Sequence, residues 1–118
     1  MTQTLFPILR YEDPRAAIDW LGRAFGFEVH QIHEAPDGTV AHAELRLGDQ
    51  MIMLGPGEPG TGHVYVVVDD PDARFERATA AGAEVVMPLT DTDYGSRDFG
   101  VHDPEGNRWS FGTYAPQP

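Results

Sequence analysis

Apolar and polar positions along this chain form one pattern, stated twice. Leu5-to-Tyr11 is a short apolar run that predicts a strand. Asp13 then supplies an N-cap and Pro14 a first helical residue, where its missing N–H costs nothing. Ala17, Ile18, Leu21, Ala24 and Phe25 follow at helical spacing as one apolar stripe, which Gly26 ends. Three strands are predicted next, Phe27-to-Glu34, Val40-to-Leu47 and Met51-to-Leu54, parted by turns at Pro36-Asp37-Gly38 and Gly48-Asp49. The segment Gly55-to-Gly62, with four glycines and two prolines, joins no regular element.

Beyond it the order returns. His63-to-Val68 predicts a strand, and a second helix runs from the Asp70 cap and Pro71 through Phe75 and Ala78 to Gly82. Glu84-to-Met87 reads as a strand, Leu89-to-Ser96 as a polar loop and Arg97-to-His102 as a strand. Asp103-Pro104-Glu105-Gly106 is a turn before the last strand, Arg108-to-Tyr114. Asp70-Pro71-Asp72-Ala73 repeats Asp13-Pro14-Arg15-Ala16 at an offset of 57 positions. Two copies of one supersecondary unit are too few for a solenoid, so they must bury their faces on each other or on a second chain. The predicted fold is a single α+β domain over residues 1–118, made of two βαβββ modules. Module one covers 1–57, the glycine- and proline-rich linker 55–62 and module two 63–118, with eight strands forming a cleft and helices on its outer face.

Strands alternate their faces, and one helix per module covers one face. The aliphatic set Val64, Val66, Val68, Trp109 and Phe111 is expected under the helices, with Pro7, Leu9, Tyr11, Ile52 and Leu54 as repeat partners. The opposite face then carries Phe6, Ile8, Met51, Met53, His63, Tyr65, Val67 and Ser110. Aromatic rings, thioethers and a few polar tips suit a small-molecule cleft, but on these residues alone a sheet–sheet core or dimer seam, in which Met fills gaps, is the favoured reading.

Charge narrows the partners. Nineteen acidic against eight basic side chains give −11, which repels a nucleic-acid backbone or an anionic membrane and favours encounter with a cationic ligand. The absence of cysteine removes disulfides, thiolate ligands and a thiol nucleophile. Met1-to-Pro7 has no basic or long apolar leader, and no run reaches membrane-spanning length, so a cytoplasmic protein is expected.

Gly62-His63-Val64, Asp70-Pro71-Asp72-Ala73, Ala81-Gly82-Ala83, Tyr94-to-Phe99 and above all Asp103-Pro104-Glu105-Gly106-Asn107-Arg108-Trp109, set in this repeat, resemble the vicinal oxygen chelate superfamily. That superfamily includes glyoxalase I, extradiol dioxygenases, fosfomycin-resistance enzymes and bleomycin-resistance proteins. The resemblance covers nearly the whole chain. It implies a U-shaped cleft whose enzymes hold a divalent metal with side chains from the first and last strand of each module. Those positions map to Phe6, Met53, His63 and Ser110, and the 57-residue offset relates them in pairs. His63 alone is an ordinary ligand, since Phe has no donor atom, Met is soft and Ser is weak, whereas catalytic sites use three protein ligands.

Other histidines do not rebuild the set. His30 and His33, three apart, are expected on opposite strand faces; His42 and Glu44 share a face but not on a ligand-bearing strand, and His102 is expected in solvent. Ser96 has no glycine-flanked elbow to make it a nucleophile. The resemblance therefore implies a protein without cofactor, closest to the bleomycin-resistance type, binding a small molecule by sequestration in grooves at a homodimer interface. Phe6, Met51, Met53, His63, Tyr65 and Ser110 would line the groove, with Tyr94 and Arg97 at its rim. Arg97 has a second reading as a surface ion pair. Two other functions stay open: an isomerase, lyase or dioxygenase using a divalent metal or acid–base chemistry at His63, and a non-catalytic interaction module.

Overall fold

A computed structural model describes residues 3–118, with Met1 and Thr2 of module one outside it. Module one contains β1 (Ile8–Tyr11), α1 (Pro14–Phe25), β2 (Glu28–Glu34), β3 (Val40–Leu47) and β4 (Gln50–Pro56). Module two contains β5 (His63–Val67), α2 (Pro71–Ala80), β6 (Glu84–Asp91), β7 (Arg97–His102) and β8 (Arg108–Gly112). The sheets have equivalent orders, β1-β4-β3-β2 and β5-β8-β7-β6, with β1–β4 and β5–β8 parallel and the other pairs antiparallel. This is the predicted α+β repeat. No helix among the described residues is long and apolar enough to cross a membrane.

Both helices begin as their caps dictate. Asp13 Oδ1 accepts from Ala16 N and Asp70 Oδ1 from Ala73 N, each at 3.1 Å, and a proline follows each cap. Gly26, at φ 86°, ends α1 in the left-handed conformation that glycine adopts without a Cβ penalty. The α1 stripe Ala17, Ile18, Leu21, Ala24 and Phe25 is buried, together with Trp20.

Strand lengths depart from the pattern by more than one residue in four places. β1 begins at Ile8 and not at Leu5: Pro7 has no N–H to give, and the Gln3 amide instead brackets Met51, accepting from its N at 2.6 Å and donating to its O at 2.8 Å. β4 runs on through Gly55 and Pro56 because these pair with Arg10 and Tyr11. β6 reaches Asp91, where a loop is expected; a register shift between Met87 and Thr90 accommodates Pro88, which cannot donate to the ladder. β8 stops at Gly112.

The helix-side faces of both sheets feed one core. Phe25, at the end of α1, meets Trp109 and Phe111 of β8 at ring-centroid distances of 5.1 and 4.9 Å and Trp20 at 5.2 Å. Leu9, Tyr11, Ile52, Leu54, Val68, Trp109 and Phe111 are buried as expected. Pro7, Val64 and Val66 are only half-buried; Val64 and Val66 lie on β5, an edge strand with one sheet neighbour.

The helix ends lock the modules together. Trp20 Nε1 donates to Ala81 O at 2.8 Å. In return Arg74 Nη1 reaches Phe25 O at 3.0 Å, and Arg77 reaches Arg23 O at 2.9 Å and Gly22 O at 3.0 Å. Cationic groups at a helix C-terminus satisfy its free carbonyls and its negative dipole end.

The turn after β7 forms a second lock. Buried Asp103 accepts from Tyr11 Oη at 2.6 Å, Trp109 Nε1 at 3.1 Å, Glu105 N at 3.0 Å and Asn107 N at 3.1 Å. Asn107 Oδ1 accepts from Gly60 N and Gly62 N, and its Nδ2 donates to Arg10 O. Glu105 takes the backbone N–H groups of Glu12 and Asp13 at 2.6 and 3.1 Å. The motif that carries the family resemblance thus holds β1, the linker and the start of α1 in place.

Burial, then the charge and hydrogen bond of Asp103, push the Tyr11 phenol above its ordinary value of 10.0. The folded chain therefore keeps a proton that the unfolded chain releases, and stability falls as pH rises past about 10. Tyr11→Phe should flatten the dependence of the urea midpoint on pH between about 9 and 11. A slope that Tyr11→Phe leaves unchanged would mean another group causes it.

Candidate functional site

Covering one side of each sheet with helices leaves two open faces. Among the described residues no strand of one sheet has a Cα within 8 Å of a strand of the other, and the molecule is elongated, 50 × 33 × 22 Å. Met53, with Phe6 just ahead of β1, therefore lies with one sheet and His63, Tyr65 and Ser110 with the other. Met51 and Tyr65 come together differently, as opposite walls of a groove of about 510 Å³ between the β3–β4 turn and β5. A second hollow, about 290 Å³, lies on the helix side against Tyr11, Trp20 and Asp103.

On module one, Phe6 and Ile8 are exposed, and Met51 and Met53 half-exposed. Met53 pairs with Ile8 on one side and Glu44 on the other. Glu44 Oε2 lies 3.1 Å from His42 Nε2 and Oε1 3.9 Å from His30 Nε2, and the His42 ring centroid is 5.7 Å from that of His33. His30 and His33 thus flank one patch, against the expectation of opposite faces. A bulge between Val29 and Gln31 adds a residue to β2 and cancels the odd spacing. Among the described residues no three His, Asp or Glu side chains are disposed to hold a metal ion.

The open face of module two is a grid set by strand register. Its first row is His63, Arg108, His102 and Glu84; its second Tyr65, Ser110, Gly100 and Met87; its third Val67, Gly112, Asp98 and Thr90. His63 Nε2 and Ser110 Oγ are hydrogen-bonded at 2.9 Å. Of the four positions that the family resemblance maps to metal, two therefore meet, and they are hydrogen-bonded to each other. With Phe6 and Met53 at the remaining two, the donor set does not fit a divalent metal.

Asp98 is buried in the third row and is held by Ser96 Oγ and by Tyr94 Oη at 3.0 Å, while Tyr65 Oη donates to Tyr114 O at 2.8 Å. The hydrogen bond to Asp98 raises the Tyr94 phenol pKa, and its ring meets Tyr114 edge-on at 5.9 Å. Gly112 makes room for this cluster: a Cβ there would collide with Asp98 and lie 2.6 Å from Tyr65 Oη.

Arg97 does not join the rim. It shares the helix side of β7 with Phe99 and Val101, and its guanidinium is held by Asp72 of α2 at 2.8 Å and Asp91 of β6 at 3.0 Å. The two hydrogen bonds raise its pKa, and that from Arg97 lowers the pKa of Asp72. The ion-pair reading describes its contacts. His102 is likewise paired, with Glu84 at 2.8 Å. Arg108 and Gly100, which the expectations from sequence pass over, stand on the two central strands, β8 and β7, of the grid. The signal was available: Trp109 and Phe111 face the helices, so period-two alternation sets Arg108 beside Ser110.

Two paired βαβββ modules with open sheet faces define the architectural class of this chain. The chain belongs to the Glyoxalase/Bleomycin resistance protein/Dioxygenase superfamily, whose model matches residues 3–111. An uncharacterized protein of Mycobacterium bovis is 36% identical, over 92% of this chain and 81% of its own length. The crystal structure of TioX from Micromonospora sp. ML1 superposes with a TM-score of 0.85 at 39% identity, covering 97% of this chain and all of that one. A bleomycin-binding protein complexed with bleomycin shares the fold, with a TM-score of 0.75 at 15% identity, covering 97% of this chain and 100% of that one.

Proposed function

We propose that this protein binds a small molecule in a groove and acts by sequestering it, without a metal cofactor. The observation behind this reading is the occupancy of the positions that the family resemblance maps to metal: Phe6, just before β1, with Met53 in module one, and His63 bonded to Ser110 in module two. Similarity in fold to a bleomycin-binding protein supports it. In this reading two chains pair, and the open face of module one in one protomer faces that of module two in its partner. Exposed Phe6 and Ile8 on one face and Tyr65 and Val67 on the other supply the apolar area for such a seam.

The His63–Ser110 bond also favours a second reading, an acid–base enzyme, but no carboxylate among the hydrogen bonds of the described residues orients His63. Light scattering at micromolar concentration should give twice the 13.0 kDa chain mass. In a thermal-shift panel, Tyr65→Ala should lose the stabilisation that a ligand gives the unmodified protein. A monomer mass together with no stabilising ligand would overturn the reading. Stoichiometric metal, lost in His63→Ala, would replace it with a metalloenzyme of the same superfamily.

A further inference from the structure

The eight basic side chains of this chain are all arginines, set among nineteen carboxylates, and most are visibly occupied. Arg15, Arg23, Arg46 and Arg97 pair with carboxylates, and Arg74 and Arg77 serve the end of α1. Arg10 is exposed to water. Arg108 is different. It is half-buried on the open face of module two, its Nε is buried with no hydrogen-bond partner, and no carboxylate of the described residues lies within ion-pair distance.

A partly desolvated guanidinium N–H without an acceptor is costly, and a chain this acidic could place one nearby at little expense. The carboxylates that face the same grid are already engaged, Asp98 by Ser96 and Tyr94 and Glu84 by His102. The fold also makes room for the group. A Cβ on Gly100 would lie 3.1 Å from Arg108 Nη2 and 3.5 Å from Nε, so glycine here lets the guanidinium lie over the sheet. Nε itself is closed to solvent against the sheet, so an anion reaches this guanidinium through its Nη groups, which make no hydrogen bond among the described residues and can give two donors to one carboxylate. Ser110, His63 and His102 adjoin it in the grid, and Tyr65 and Met87 in the next row offer apolar surface.

We infer that module two's open face takes the anionic end of its ligand on Arg108, and that the ligand is a carboxylate or similar oxyanion on an apolar or aromatic body. This rests on the reading of the open faces as ligand-binding surfaces, and it reverses, at this face, the cationic preference that net charge suggests. Long-range charge sets encounter, whereas a half-buried, unpaired guanidinium sets the local sign.

The test compares 2-naphthoate with the isosteric, uncharged 2-naphthamide by calorimetric titration of the full-length protein. Naphthoate should bind at least tenfold more tightly. Arg108→Gln should abolish that preference while leaving naphthamide binding in place, and Arg108→Lys should keep part of it. Equal binding of acid and amide, or a preference that survives Arg108→Gln, would overturn the anion assignment and leave the sequestration reading standing. Binding of neither compound would count against both. The thermal midpoint of Arg108→Gln, measured alongside, distinguishes loss of the site from loss of the fold.

Discussion

Replacing Asp103 with alanine should cost about 3–5 kcal/mol of stability, a large share of the roughly 5–15 kcal/mol that a domain has to lose. Four donors converge on this buried carboxylate, among them the Tyr11 phenol and the Trp109 indole, and alanine leaves them without an acceptor in a dry interior. Asp103→Asn keeps one carbonyl oxygen and should lose roughly half as much. Tyr11→Phe should rescue part of the alanine defect, because it removes one orphaned hydroxyl, and a double-mutant cycle on urea midpoints measures that coupling. A loss below about 1 kcal/mol for Asp103→Ala would show that water replaces the carboxylate, and that the turn is not the clasp described here.

Phe25→Ala should be comparably damaging, at about 3–5 kcal/mol, for a reason of shape and not polarity. Phe25 belongs to module one, yet two of its three ring neighbours, Trp109 and Phe111, belong to module two. Removing the ring opens a cavity that neither sheet can close without moving the other. The variant should therefore unfold in one transition, with the fluorescence of Trp20 in module one and Trp109 in module two changing together. Two resolved transitions would show that the modules are stable separately, and a loss under about 1.5 kcal/mol that the core collapses around the gap.

What could be read from the chain was local. Asp13 and Asp70 announce their helices because a cap acts over three residues, and β3 and β7 match their predicted spans because alternation and flanking turns define them. The open faces were legible for the same reason, down to Ser110 standing beside Tyr65.

What the pattern could not give depends on a partner distant in sequence or on broken periodicity. His30 changes face through a bulge, which period-two counting passes over. β6 outlasts its prediction because β7 continues to pair with it past Pro88. Arg97 goes to Asp72 because of how α2 sits on its sheet. Asp103, Glu105 and Asn107 look like turn chemistry in the sequence, but much of their work is done on Tyr11, Glu12, Asp13 and Arg10, more than ninety positions away.

The exchange between the helix ends also determines which halves are compatible. Trp20 and Arg77 are repeat partners at the 57-residue offset, and each donates to the end of the other module's helix. The two positions have kept the task and divided the chemistry, one aromatic N–H against a forked cation. A pair of first modules would bring only two indoles to carbonyls that now take three guanidinium bonds. A pair of second modules would set two arginine clusters face to face. Each half is thus complementary to its sister and mismatched to itself, a lock whose two parts are written once each in a single chain.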